Sequence, residues 1–376
     1  MIPVSLRLAR GLRALAEMRT PIWSLVLVAA CETASPSGPP ELALEDISAP
    51  LLGSIVADGD CALPSLLVGD RCEQAIVTCA GLAPATVRLV IAEPTAPLVG
   101  TVIFGSGSAG ASLMEQAATG PGGDNPFVAE LEGLRAAGYR VVERAWQGDA
   151  PGDRGWIRGS DGMDASACRY ATLVTWLAKR YATPSRALCA VGFSGGSMEL
   201  AQTLGRWNRA GLLDQAVLVS GPAARSDDAC IGGAAAEAAC AAAEAAYPWE
   251  CADRGVELSC VLGDDITLLV DTAYDGAPVC SSRDPLHAPT LAGDSALAPG
   301  VGVAAYPSTR LDSILGMRDC GSGAATTGAT WATLVTGAGG AAPAVVAVPG
   351  AGHTVHSTVQ GAAAIADAVL AGCVPR

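Results

Sequence analysis

The chain is 376 residues long, half of them apolar, with a mean hydropathy of +0.36 and a net charge of −14. That length and apolar content suit one large domain with an insertion, or two domains. The acidic balance excludes a nucleic-acid binder, which needs a basic face, and disfavours polyanionic substrates while leaving neutral or cationic ones open.

The N-terminal 30 residues read as a targeting segment and stand outside the fold. Arg7, Arg10, Arg13 and Arg19 precede an apolar run from Pro21 to Ala30 that is too short to span a bilayer and abuts Cys31. Val28-Ala29-Ala30-Cys31 resembles the lipobox of bacterial lipoproteins. That resemblance implies that Cys31 is lipidated and becomes the mature N-terminus. With Glu32 rather than Asp next, it points to the outer membrane or cell surface, with membrane contact only through the anchor. Plain secretion after cleavage at Ala30 is the alternative. Thirteen cysteines less Cys31 leave twelve, an even number suited to disulfides in an oxidising compartment. None of their spacings is the Cys-x-x-Cys of a zinc pair, so disulfides are expected and metal is not.

Residues 31–48 are proline-rich and polar, a tether to a domain spanning 49–376. Residues 49–84 hold three cysteines and little periodicity, which predicts an irregular flap, partly stapled. Strands are expected at Ala85–Ala92 and Leu98–Phe104. The loop Gly105-Ser106-Gly107-Ser108-Ala109-Gly110 then spells the glycine pattern of a dinucleotide-binding turn. That reading wants an acid about 20 positions on, at the end of the next strand. Glu130 and Glu132 fall in a helix and Glu143 comes too late, so no nucleotide cofactor is expected.

A helix runs from Pro126 to Gly138, a strand from Tyr139 to Trp146, and a second helix capped by Asp164 ends before Pro184. Ala187 to Val191 is a short apolar strand ending in Gly192-Phe193-Ser194-Gly195-Gly196, and a helix over 195–209 follows. Next comes a strand, Gln215–Ser220. Residues 222–300 break the rhythm with four clustered cysteines and an alanine-rich helix from Ala234 to Ala246. The alternation resumes with a strand at Arg310–Gly316, a helix near Thr327 to Val335, a strand at Ala344–Val348 and a helix from about His356 to Ala371. Strands and helices in alternation make a parallel α/β sheet.

With 45 glycines in the chain, Gly-x-Ser-x-Gly at Ser194 is an ordinary turn on composition alone. Strand, tight turn and helix in that order resemble the nucleophile elbow of the α/β-hydrolases. Two further placements carry the resemblance. Leu315-Gly316-Met317-Arg318-Asp319 is similar to the family's strand–Gly-x-x-Asp turn, and Gly350-Ala351-Gly352-His353 follows the last strand. The resemblance covers about residues 85–376. It implies a mostly parallel eight-stranded sheet flanked by helices, with 222–300 as a cap after the sixth strand.

It also implies a serine hydrolase: Ser194 as nucleophile, His353 as base and Asp319 as the acid that orients it, with Asp312 and Asp271 as fallback acids. Gly195 and the loop residue Ser106, or else Gly107, would supply the oxyanion N–H groups. His287 reads as solvated and His356 as part of the last helix. The expected activity is hydrolysis of a small-molecule or polymeric carboxylic ester without metal or cofactor. A peptidase or amidase of the same fold is the alternative within enzymes, and a non-catalytic binding module the alternative outside them.

Overall fold

Runs of β-branched and other apolar residues bounded by glycine or proline set most of the strands, and both faces of the sheet they build are covered by helices. The computed structural model describes residues 51–118, 125–147, 155–297 and 305–376. The targeting segment, Cys31 and the tether lie outside the described residues, as does most of the loop between Trp146 and Trp156.

Nine strands form one sheet: β1 (Ser54–Asp60), β2 (Arg71–Thr78), β3 (Ala85–Ala92), β4 (Gly100–Gly105), β5 (Tyr139–Trp146), β6 (Ala187–Phe193), β7 (Gln215–Val219), β8 (Arg310–Gly316) and β9 (Ala344–Val348). Their order is β1-β2-β3-β5-β4-β6-β7-β8-β9. The pairs from β1 to β5 along that order are antiparallel, and every pair from β5 to β9 is parallel. The helices are α1 (Pro126–Ala136), α2 (Gly162–Tyr181), α3 (Gly195–Gly205), α4 (Ser226–Ile231), α5 (Ala234–Ala246), α6 (Asp264–Asp271), α7 (Ala288–Gly293), α8 (Ala324–Gly337) and α9 (Val359–Gly372).

Alternate residues of the central strands feed two cores. Leu188 and Ala190 of β6 pack with α2 and α3, whereas Cys189, Val191 and Phe193 pack with α1 and α9. A mostly parallel sheet covered in this way is the α/β-hydrolase fold, with nine strands in place of eight.

The extra strand corrects the expectation of an irregular flap at 49–84, where β1 and β2 form an antiparallel extension of the sheet. β1 is an edge strand and largely exposed, so it carries no apolar alternation to read. The second helix also starts earlier than expected, at Gly162. Asp164 lies inside its first turn, paired with Arg206. The cap comes from afar: Asp294, in the segment after β7, accepts the Met163 N–H at 3.0 Å. Helix α3 stops at Gly205 rather than 209. The alanine-rich helix and the strands β3, β5, β8 and β9 fall where the sequence puts them.

Six disulfides join all twelve cysteines of the described residues: 61–72, 79–168, 189–373, 230–280, 240–260 and 251–320. Three of them hold the segment after β7. Two close within it, and the third ties Cys251 to Cys320, beyond β8.

Candidate active site

Ser194 sits between the end of β6 and the start of α3 with φ +51° and ψ −114°, a conformation costing about 1–3 kcal/mol for a non-glycine residue. Its neighbours leave no room for side chains. A Cβ on Gly192 would lie 2.3 Å from the Gly196 carbonyl oxygen, and one on Gly195 would lie 2.0 Å from that of Ser108. Close approach, not composition, therefore dictates these glycines. The Ser194 carbonyl accepts from the N–H groups of Ser197 and Met198 and from the Ser197 hydroxyl, at 3.0, 3.1 and 2.6 Å. Because the peptide is planar and trans, the Gly195 N–H points the opposite way, out of the helix N-terminus.

His353 follows β9, and Asp319 follows β8. The His353 ring stands 2.9 Å from the Ser194 Oγ through Nε2 and 2.8 Å from Asp319 Oδ2 through Nδ1. The Asp319 side chain is only 2% exposed. Ser220, at the end of β7, donates its hydroxyl to the His353 carbonyl at 2.7 Å, and the Phe193 ring packs on the imidazole. Ser194, His353 and Asp319, distant in sequence, thus form one hydrogen-bonded chain.

The fallback acids lie elsewhere. Asp312 pairs with Arg310 and accepts from Gln215, while Asp271 accepts the N–H of Cys280. His287 is half-buried in a short 3-10 turn after Asp284. His356 also stands in a 3-10 turn, not in α9. It is fully buried against the rings of Phe193 and Phe127, and burial, with His353 nearby, pushes its pKa down to about 3. It is a neutral core imidazole.

The loop 105–110 lies against the elbow. Its glycines make room for two side chains rather than for a phosphate. A Cβ on Gly107 would come 2.8 Å from the Phe193 ring and 3.1 Å from Ser194 Cβ. On Gly105 or Gly110 it would strike the guanidinium of Arg144, at 2.7 and 2.1 Å. Ser106 is fully buried, and its hydroxyl donates to the Ser112 carbonyl at 2.5 Å. Gly107, not Ser106, stands on the cavity wall beside Ser194.

That cavity is about 1240 Å³ and includes Ser194, Gly195 and His353. Its lining includes Trp156, Met163 and Met198 and, from the segment after β7, Leu262, Ile266 and Leu269. The same segment grips both loops that bear the acid and the base. The Glu250 N–H donates to the Met317 carbonyl at 2.9 Å, and its carboxylate meets Arg318 at 2.6 Å and the Gly350 N–H at 2.9 Å. These two donors hold the Glu250 carboxyl below its ordinary pKa. The Cys251–Cys320 disulfide joins the residue directly after Asp319 to that grip. Sequence reasoning missed Arg144, Ser220 and Glu250. Only Arg144 left a signal, as one of three charged residues, with Arg140 and Glu143, in a strand of the sheet.

Among the described residues no cluster of His, Cys, Asp and Glu is arranged to hold a metal ion. No protein-family model and no curated protein sequence matches the chain. Several solved structures are distantly similar in chain course. Brefeldin A esterase, described as a bacterial homologue of human hormone-sensitive lipase, is 16% identical over 82% of this chain and 77% of its own, with a TM-score of 0.44. A thermostable carboxyl esterase from Bacillus coagulans is 13% identical over 80% and 97%, with a TM-score of 0.44. A structure from a study of two prolyl endopeptidases is 12% identical over 85% of this chain and 46% of its own, with a TM-score of 0.46.

Proposed function

We propose that the protein hydrolyses carboxylic esters through an acyl-enzyme on Ser194. The observation that carries this reading is the hydrogen-bond chain Ser194–His353–Asp319, at 2.9 and 2.8 Å, opening on a large cavity. Ser194 Oγ attacks the ester carbonyl and His353 Nε2 takes its proton. Asp319 keeps the other ring nitrogen protonated and stabilises the imidazolium. Negative charge on the carbonyl oxygen is met by the N–H groups of Gly195 and of Gly107, the latter favoured by its place on the cavity wall. The tetrahedral adduct collapses, and the alcohol leaves with the proton from His353. Water, deprotonated by the same imidazole, then releases the acid. Side chains, backbone N–H groups and water suffice for every step.

The apolar walls suit a neutral ester with a sizeable acyl or alcohol part, and the segment 222–300 acts as the cap that shapes this space. Export into an oxidising compartment agrees with the six disulfides. A fluorophosphonate probe should label the protein, and Ser194→Ala should abolish labelling with the fold intact. Labelling that survives the change sinks the assignment. A panel of p-nitrophenyl esters beside peptide anilides separates the readings: turnover of anilides alone means an amidase, and turnover of neither with no labelling means a binding module.

A further inference from the structure

Arg144 of β5 and Glu199 of α3 form an ion pair in which neither side chain has any exposed surface. Burying two charges commonly costs more than their attraction returns, so stability alone is a poor reason for such a pair. Its connections point to another. The Trp146 indole N–H donates to Glu199 Oε1 at 2.7 Å, which holds the carboxylate in place. Arg144 Nη1 donates to the Gly110 carbonyl at 3.1 Å and Nη2 to the Ser106 carbonyl at 3.4 Å. Those two carbonyls bracket Gly107. Glu199, meanwhile, belongs to the helix that begins at Gly195. The pair therefore ties the loop bearing one proposed oxyanion donor to the helix bearing the other.

Peptide geometry carries the effect to the site. The bond between Ser106 and Gly107 is planar and trans, so a guanidinium holding the Ser106 carbonyl on one side turns the Gly107 N–H to the other. The bare Cα atoms of Gly105 and Gly110 leave the space in which the guanidinium sits. We infer that Arg144, anchored by Glu199, is a positioning residue for the oxyanion hole: it sets the Ser106–Gly107 peptide so that its N–H meets the developing negative oxygen. The inference rests on the serine-hydrolase reading above.

The test uses the full chain and two variants: Arg144→Lys and the double Arg144→Met/Glu199→Leu. The double variant replaces the pair by apolar side chains of similar size, an exchange that buried ion pairs often tolerate without loss of stability. The readouts are kcat and KM on p-nitrophenyl butyrate, the inhibition constant of phenylboronic acid, and thermal unfolding. The boronate forms a negatively charged tetrahedral adduct on an active-site serine, so it reports the oxyanion hole directly.

Loss of one well-placed oxyanion donor lowers kcat by about 10²–10³-fold, so a misplaced one should cost about 10–100-fold. The expected result is that fall in kcat for the double and Lys variants, an equal rise in the boronate constant, and KM within about twofold of wild type. Folded variants with unchanged kcat and boronate affinity overturn the inference. So does a loss of kcat with boronate affinity intact, which marks a merely structural role. If the double variant does not fold, Arg144→Lys decides by the same readouts, since it keeps the charge and loses the second N–H arm. A wild-type chain inactive on every ester and unlabelled by fluorophosphonate overturns the hydrolase reading, and this inference with it; an active wild type with unaffected variants overturns this inference alone.

Discussion

Asp319→Asn tests the proposed chemistry most sharply, because the substitution keeps shape and volume and removes only the charge. The carboxylate lies 2.8 Å from His353 Nδ1 and is 2% exposed, so the two charge centres in the transition state are about 4 Å apart. At an effective dielectric near 20 that attraction is worth about 4 kcal/mol, or about 10³-fold in rate. An amide has a second effect. Its NH₂ donates to Nδ1 and leaves the proton on Nε2, where it blocks the base, raising the expected loss in kcat to about 10⁴-fold. The assay is kcat on p-nitrophenyl butyrate beside thermal unfolding, with Asp312→Asn as control. Asp312 is buried among Arg310 and Gln215, so its loss should lower the melting temperature and leave kcat within about threefold. Asp319→Asn within tenfold of wild type, or Asp312→Asn as damaging to kcat, would refute the assignment.

Glu143 is fully buried in β5, where burial and the neighbouring Glu115 push its pKa up to about 8. Between the ordinary carboxylate value and about 8 the folded state holds a proton that the unfolded chain releases. Stability therefore falls as pH rises through that window, by about 1.4 kcal/mol for each pH unit crossed. Glu143→Gln imitates the protonated form, and its melting temperature should gain on the wild type from pH 5 to pH 8; a constant gap would contradict the burial argument. At the other end of the chain, mass spectrometry of the mature N-terminus should find an acylated Cys31 after loss of residues 1–30, and an unmodified terminus would remove the anchor.

What the sequence revealed depended on whether a feature's cause was local. Strands β3, β5, β8 and β9 were legible because each gathers β-branched or other apolar residues with a stop close by, as Gly138 precedes β5 and Pro349 follows β9. The three site residues were legible for a related reason, since each closes a strand with a glycine-bearing turn of characteristic spacing. Features with distant causes were not. Helix α2 takes its cap from Asp294, 131 residues away, so Asp164 looked like the better start. Strand β1 pairs on one side only and shows its residues to solvent, which leaves Ala57-Asp58-Gly59-Asp60 looking like a loop. The glycines at 105, 107 and 110 spelled a phosphate turn because sequence records the missing side chains but not what fills the space. Here Arg144 and Phe193 fill it.

The bond between Cys251 and Cys320 has a meaning for how this molecule could diversify. Insertions of this kind are natural places for change, since they wall the cavity without forming the sheet. In this chain the insertion is not a detachable cassette. Cutting it out would strip Cys320 of its mate, the Met317 carbonyl of the Glu250 N–H, and the Gly350 N–H of its acceptor, all within the turns that carry Asp319 and His353. An exchange of this segment would therefore have to keep a partner for Cys320 and replacements for the Glu250 contacts. Nor can the segment be divided just after Cys251, because the Cys230–Cys280 and Cys240–Cys260 disulfides cross that point.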